Sequence, residues 1–372
     1  MWVKRWFAAI AVVALVGVTA GSASAATRPW RIVKTPALGT GMEMLGVSCP
    51  TATFCMAVGQ SGGTAAAKWD GTEWSTVPTV DPSGTFADWL TDISCVSSDF
   101  CVAVGERFSS QAGNDPTLIE TWNGTSWSLT DTSALTSEGG LNGVACTSTT
   151  ACVAVGGGPI AALWDGVQWT ASTVPAPSAF GGDLEDISCP SPSACVAVGT
   201  YNTAPNAQGT LVESWDGSAW TQSQSPSPGI DPNLTDVSCA STTACLAVGV
   251  TRDNDDHYQP LAEVFRRHHW TVTATPDAPT PGIFDSVSCA RPTWCVVVGD
   301  RTGPVNAAIL DVWNGSTWTV PSFSAPRADN ELLGTTCIAV QSCVAVGVSN
   351  TGKRPFKAHP LVETDMKRVA AS

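Results

Sequence analysis

The chain has 372 residues, with 18 Lys+Arg against 32 Asp+Glu and a formal net charge of −14. So acidic a chain is a poor electrostatic partner for nucleic acid, and 43% hydrophobic residues is too many for a disordered polymer. Fourteen cysteines, 16 tryptophans, 34 glycines and 25 prolines point to a turn-rich fold, either two domains or one large β domain.

Residues 1–25 have the make-up of a secretory signal peptide. Lys4 and Arg5 form a positive start, Phe7 to Val18 is an apolar stretch too short to span a bilayer, and Ala23-Ser24-Ala25 is a small-residue cleavage site. Residues 26–372 are expected to form one domain, secreted and extracellular, without a membrane span. An oxidising compartment makes disulfides the first reading of the cysteines.

The cysteines fall into seven C-x5-C pairs: Cys49/Cys55, Cys95/Cys101, Cys146/Cys152, Cys189/Cys195, Cys239/Cys245, Cys289/Cys295 and Cys337/Cys343. First cysteines are 46, 51, 43, 50, 50 and 48 residues apart, a propeller-blade period. Each repeat begins with a short run into Ser-Cys or a variant of it. After five residues comes Cys-x-Ala-Val-Gly, with Val297 replacing the alanine once, and then an apolar run. In most repeats that run leads into W-D/N-G-x-x-W, as in Trp122 to Trp127. These parts read as strands A, B, C and D, because β-branched and aromatic residues favour half-buried strands. The Asp-Gly and Asn-Gly dipeptides predict type I′ turns between C and D. C-x5-C predicts an A–B hairpin with a five-residue loop closed by a disulfide.

The ends supply a check. Repeat seven has a strand C, Leu361 to Asp365, but no Trp-bearing strand D. Residues Arg28 to Val33 look like a strand D without a blade, and Trp30 precedes Cys49 by 19 residues, the commonest Trp-to-Cys spacing in the chain. The expectation is an all-β, seven-bladed propeller of four-stranded antiparallel blades, closed by the N-terminal strand.

The order V-x-C, x-A-V-G, apolar strand and D-G-x-x-W resembles the Asp-box (BNR) propellers, which include sialidase-type and photosystem-assembly-factor repeats. The Asp-box serine is missing here, Asp stands four rather than five residues before Trp, and the cysteine pairs are an addition. The repeat is also similar to an uncharacterised class of secreted actinobacterial propellers with S-C-x5-C-x-A-V-G repeats. That resemblance implies fold and export, and no activity.

Strand C carries an acid at Glu120, Glu213, Glu263, Asp311 and Glu363, replaced by Ala67 and Ala162 in the two repeats with the shortest B–C connections. This acid is expected to accept hydrogen bonds from its own long B–C loop. Twelve of the tryptophans recur at the hairpin positions, which argues for packing between blades rather than sugar stacking.

Variable B–C and D–A loops share one face of a propeller, and specificity usually sits in such loops. The D–A loops are expected to be acidic, with Glu43, Asp183 and Glu331 six residues before the first cysteine and Asp92, Asp186 and Asp236 three before it. The candidate ligand site is Glu43, Asp88, Trp89, Asp183, Glu185, Asp186 and Glu331. Such carboxylates suit a cationic ligand or Ca²⁺, and Asp253, Asp255 and Asp256 are weaker Ca²⁺ candidates in repeat five. Repeat five also replaces the D/N-G turn with Arg266-Arg267-His268-His269, a cationic spot suited to a partner or an anionic surface. The motifs of α/β-hydrolases, zinc proteases and P-loop enzymes are absent. The expected function is a monomeric, non-catalytic binder of an extracellular glycan, peptide or protein, needing no cofactor. The alternative is a hydrolase, glycosidase- or lyase-like, using the rim carboxylates.

Overall fold

The computed structural model describes residues 29–35, 38, 40–82, 85–109, 117–135, 139–175, 178, 180–205, 207–276, 281–303, 306–323, 329–350 and 358–366. The expected signal peptide lies outside them. The described strands form seven four-stranded antiparallel sheets. Six use consecutive strands, over residues 43–77, 85–129, 141–172, 182–222, 230–272 and 283–319. The seventh joins residues 330–364 to the N-terminal strand Arg31–Ile32, with Arg31 opposite Thr364 and Ile32 opposite Glu363. Trp30 then packs on Val296, Val298 and Leu310 of blade six, as a hairpin tryptophan should. No described helix is long and apolar enough to cross a membrane.

The central strands are apolar without alternation because neighbouring blades cover both of their faces. In blade five, Cys245 to Val248 are all buried. Paired hairpin tryptophans, with ring centroids 5.0–6.0 Å apart in five blades, fill the outer gaps between blades.

All seven cysteine pairs are disulfides, one per blade: Cys49–Cys55, Cys95–Cys101, Cys146–Cys152, Cys189–Cys195, Cys239–Cys245, Cys289–Cys295 and Cys337–Cys343, with Cα atoms 3.9–4.1 Å apart. They are not the exposed loop staples that a five-residue hairpin implies. The second cysteine of each pair (Cys55, Cys101, Cys152, Cys195, Cys245, Cys295 and Cys343) is buried in a hydrophobic cluster. It lies on strand B, at the middle of the blade, so it is core material and offers nothing to a ligand. Cys55 packs with Val47 and Trp74, Cys152 with Val144 and Trp169, and Cys195 with Ile187 and Trp220. Cys295 packs with Val287 and Trp313, and Cys343 with Trp30 and Leu361.

The segment between the cysteines also differs from the expected five-residue loop. The ladder continues past Cys95–Cys101 through a bulge to Ser97 opposite Phe100, leaving a two-residue turn. The C–D turns differ too. In Asp-Gly and Asn-Gly turns only the glycine is left-handed, at φ 93–99° for Gly71, Gly124, Gly166, Gly217 and Gly315. Type I′ would need both central residues left-handed. The preceding Asp or Asn caps the turn instead: Asp70 Oδ1 accepts the amides of Thr72 and Glu73.

In five repeats a serine precedes the first cysteine and bonds across blades, which its motif conceals. Ser48, Ser94, Ser188, Ser238 and Ser288 each accept the backbone N–H of the first cysteine in the next blade, at 2.9–3.0 Å. This bond clips blade to blade at these five junctions. Ser238→Ala strands the Cys289 amide and is expected to cost about 1–2 kcal/mol in denaturant unfolding.

At Glu120 and Glu263 the strand-C acid works between blades, not within its own B–C loop, whereas the buried carboxyls of Glu213 and Glu363 have no hydrogen-bond partner among the described residues. Glu120 accepts the amide of Val80, and Glu263 accepts the hydroxyl of Ser225, both from the strand D-to-A connection of the preceding blade. Four of the five acids stand opposite the alanine of C-x-A-V-G, as Glu120 does with Ala103 and Glu263 with Ala247, and the shorter Asp311 stands opposite Val297. A side chain as small as alanine leaves the acid room to turn toward the neighbour.

Candidate functional site

Strand A lines the axis, and it is bulged in every blade. The ladder slips by one residue between Met44 and Gly46, and at the equivalent place in the other six blades. The bulged residues are Leu45, Thr91, Asn142, Glu185, Thr235, Asp285 and Leu333. A bulge re-aims side chains, so the bulged residue and its successor both reach the axis. The strand-B glycine exists for this bulge. A Cβ on Gly59, Gly105, Gly156, Gly199, Gly249, Gly299 or Gly347 would lie 1.9–2.1 Å from a strand-A carbonyl oxygen.

The result is an axial cavity of about 240 Å³ lined by all seven blades. Its carboxyl groups are Asp92, Glu185, Asp186, Asp236 and Asp285, and among the described residues no Lys, Arg or His lines it. Three of these acids are structural. Asp92 Oδ2 accepts the amide of Val144, Asp186 Oδ2 that of Val237, and Asp236 Oδ2 that of Val287, each in the next blade. Burial pushes Asp92 up to about 7, against the pull of the Val144 and Ile93 amides. Burial and the Asp236 charge hold Asp186 well above the usual carboxylate range, and the two side chains share a hydrogen bond that needs a proton. Burial also raises Asp236 and Glu185. Asp285 is held well above the ordinary range by burial and then by Asp300, Glu331 and Asp236. Its buried Oδ2 has no hydrogen-bond partner among the described residues.

The acids expected on D–A loops therefore stand on strand A. Glu43, Asp183 and Glu331 occupy the entry end of that strand, outside the cavity. Glu43 accepts Gln60 Nε2 at 2.8 Å, Glu331 accepts Asn306 Nδ2 at 2.6 Å, and exposed Asp183 accepts the Gly158 amide at 3.1 Å. Glu185 and Asp186 reach the cavity itself, where Asn142 Nδ2 lies 3.3 Å from Glu185 Oε2. Half-buried Trp89 stacks locally, its ring 4.8 Å from that of Phe108. Asp88 is buried opposite Arg107 in the ladder, so it is not open to a ligand. The candidate residues thus form two tiers rather than one rim. Asp285, Asn142 and Thr235 belong to the inner tier and escape the sequence reading, although the column four residues before each cysteine holds all three.

The strand B-to-C turn of blade five is a separate feature. Asp253 Oδ1 accepts the amides of Asp255 and His257, which fixes the turn, and Oδ2 accepts Gln259 Nε2. Asp256 pairs with Arg252 at 2.7 Å, and Arg252 also pairs with Asp231. Among the described residues, Asp253, Asp255 and His257 are the only group of three with metal-ligating atoms within 4.8 Å of one another. An imidazole in that set suits a transition ion better than Ca²⁺.

No family model matches the chain, and no curated protein matches its sequence. Solved structures with the same fold are found. YCF48 bound to a D1 peptide is 12% identical, with 91% of this chain and 97% of that chain covered and a TM-score of 0.60. YCF48 from Cyanidioschyzon merolae is 12% identical over 90% and 98% of the two chains, with a TM-score of 0.58. The WD40 repeats of RRP9 are 9% identical over 91% and 98%, with a TM-score of 0.60. These likenesses establish the seven-bladed propeller fold.

Proposed function

We propose that this chain is an exported, non-catalytic propeller that binds a peptide, protein or glycan with cationic groups at the entry end of its axial channel. One observation carries the reading. The inner acids Asp92, Asp186 and Asp236 are tied to backbone amides of the next blade, so they hold the ring together rather than wait for a substrate. The outer acids Glu43, Asp183 and Glu331 have carboxylates at the mouth, held by neutral donors that leave their charge uncompensated. Rim charge of this kind steers and selects a cationic ligand. The bound D1 peptide in the YCF48 structure supports peptide binding by this fold. Seven disulfides and the leader-like residues 1–25 support secretion, and the repeat motif supports kinship with secreted, Asp-box-like propellers. The chain acts as a monomer.

Arrays of peptides and glycans test this. The chain retains a cationic ligand without releasing product, and a Glu43→Gln/Asp183→Asn/Glu331→Gln variant binds it about tenfold more weakly. Product release that Asp186→Asn abolishes would establish a hydrolase instead.

A further inference from the structure

We propose that the C–D turn of blade five, on the end of the propeller opposite the channel mouth, docks an anionic polysaccharide. This site is independent of the ligand site at the mouth. Five blades turn on Asp-Gly or Asn-Gly, but blade five turns on Arg266-Arg267-His268-His269. Phe265 pairs with Trp270 and Arg266 with His269, leaving Arg267 and His268 at the tip. Their φ angles are 51° and 66°, left-handed values that L side chains avoid and that glycine supplies elsewhere. Of six described non-glycine residues with positive φ, five are Ser227, Asp231, Asp256, Arg267 and His268, all in blade five or the segment entering it. Strain kept where glycine would relieve it points to a use for the side chains.

Those side chains are open to a ligand. Residues 266–269 are all exposed, and none of them forms an ion pair among the described residues, whereas Arg252 in the same blade is doubly paired. The Arg266 guanidinium leans toward the Pro292 carbonyl, at 3.5 Å, beside exposed Arg291 of blade six. Three guanidiniums and two imidazoles therefore share one rim of a chain with net charge −14. Next to them lies a groove of about 430 Å³, walled by Phe265 and Trp270 on one side and by Ser223 and Gln224 on the other, with His268 and His269 at its edge.

The chemistry selects the partner. Guanidinium and imidazole donors hold carboxylate, sulfate or phosphate oxygens. The half-buried Phe265 ring, facing amide and hydroxyl groups across the groove, suits a sugar ring. The tip residues 266–269 carry no apolar side chain that could enter a bilayer. An acidic sugar polymer satisfies both the knuckle and the groove.

The test uses the whole chain and three polymers: dextran sulfate, polygalacturonate and neutral dextran. Retention is expected on the charged polymers, falling about tenfold in affinity between low and high salt, with none on neutral dextran. Retention on only one charged polymer supports the proposal and assigns the anion. The variant Arg266→Asp/Arg267→Gly restores the turn of the other blades, so it stays folded. It should bind at least about tenfold more weakly. Arg291→Gln should show a smaller loss. Equal binding by the Arg266→Asp/Arg267→Gly variant, equal binding to neutral dextran, or loss only on substitution of Glu43, Asp183 and Glu331 would overturn the proposal.

Discussion

The melting temperature is expected to fall as pH rises from 5 to 8. Burial pushes the carboxyls of Glu120, Glu263 and Glu363 up to about 7 from an ordinary 4.5. Glu213 is pushed to about 7 by the same cause. For Glu120, the Val80 amide and Thr64 oppose that push, while Asp81 and Asp88 add to it. A raised folded-state value means that the folded chain holds its protons longer than the unfolded chain. Well below pH 4.5 both states are protonated and nothing is lost. Between 4.5 and about 7 the unfolded chain ionises alone, and stability drains away; above about 7 the full loss is present and constant. Each of Glu120, Glu263 and Glu363 accounts for about 3 kcal/mol, a large share of a typical domain stability. The turn aspartates act in the opposite sense and lower down. The Thr72 hydroxyl and the Glu73 and Thr72 amides hold Asp70 at about 2, so its contribution disappears only as pH falls through that value. The stability maximum therefore falls near about pH 4–5. A Glu120→Gln/Glu263→Gln variant should melt several degrees higher than the natural chain at pH 8 and about equally at pH 5. Calorimetry at the two values decides, and a flat profile would remove the buried-acid account.

Gly249→Ala is expected to cost about 3 kcal/mol or more, because its Cβ would meet the Asn233 carbonyl oxygen at 2.1 Å. Rotamer change cannot relieve a clash between backbone atoms, so the bulge or the ladder must move. Gly62→Ala is the control. Gly62 has φ 78° but nothing within 4 Å of an added Cβ, so it carries only the left-handed penalty of about 1 kcal/mol. Denaturant titration of both variants separates close approach from backbone conformation. Equal losses would show that the bulge does not dictate the glycine.

Much of the ring is legible in the sequence because its signals are local and repeated. Seven cysteine pairs give the blade number, and the distance from Trp30 to Cys49 shows which strand closes the ring. The pairing of Cys55, Cys152, Cys195, Cys295 and Cys343 is equally legible, but their burial is not, because spacing says nothing of what the neighbouring blade covers. The site is less legible for a geometric reason. Counting back from each cysteine assumes strict alternation, and the bulge at Leu45, Glu185 or Asp285 breaks it. Such counting puts Asp186 and Asp236 on loops and passes over Asp285. Ser238 and Glu120 are visible as repeated residues, but their partners lie in neighbouring blades, 51 and 40 residues away. Spacing within a repeat cannot show bonds between repeats. The Asp-Gly dipeptides mark turns, while the turn type depends on a carboxylate cap that forms only in the folded hairpin.

On the proposed function, the channel mouth binds a ligand without chemistry. Hydrogen–deuterium exchange with a cationic peptide or cationic glycan retained on the arrays is the decisive experiment. Protection is predicted at the entry ends of strand A, around Glu43, Asp183 and Glu331, with the ligand recovered intact. Protection confined to the hairpin turns at the other end, or recovery of a cleaved ligand, would contradict it.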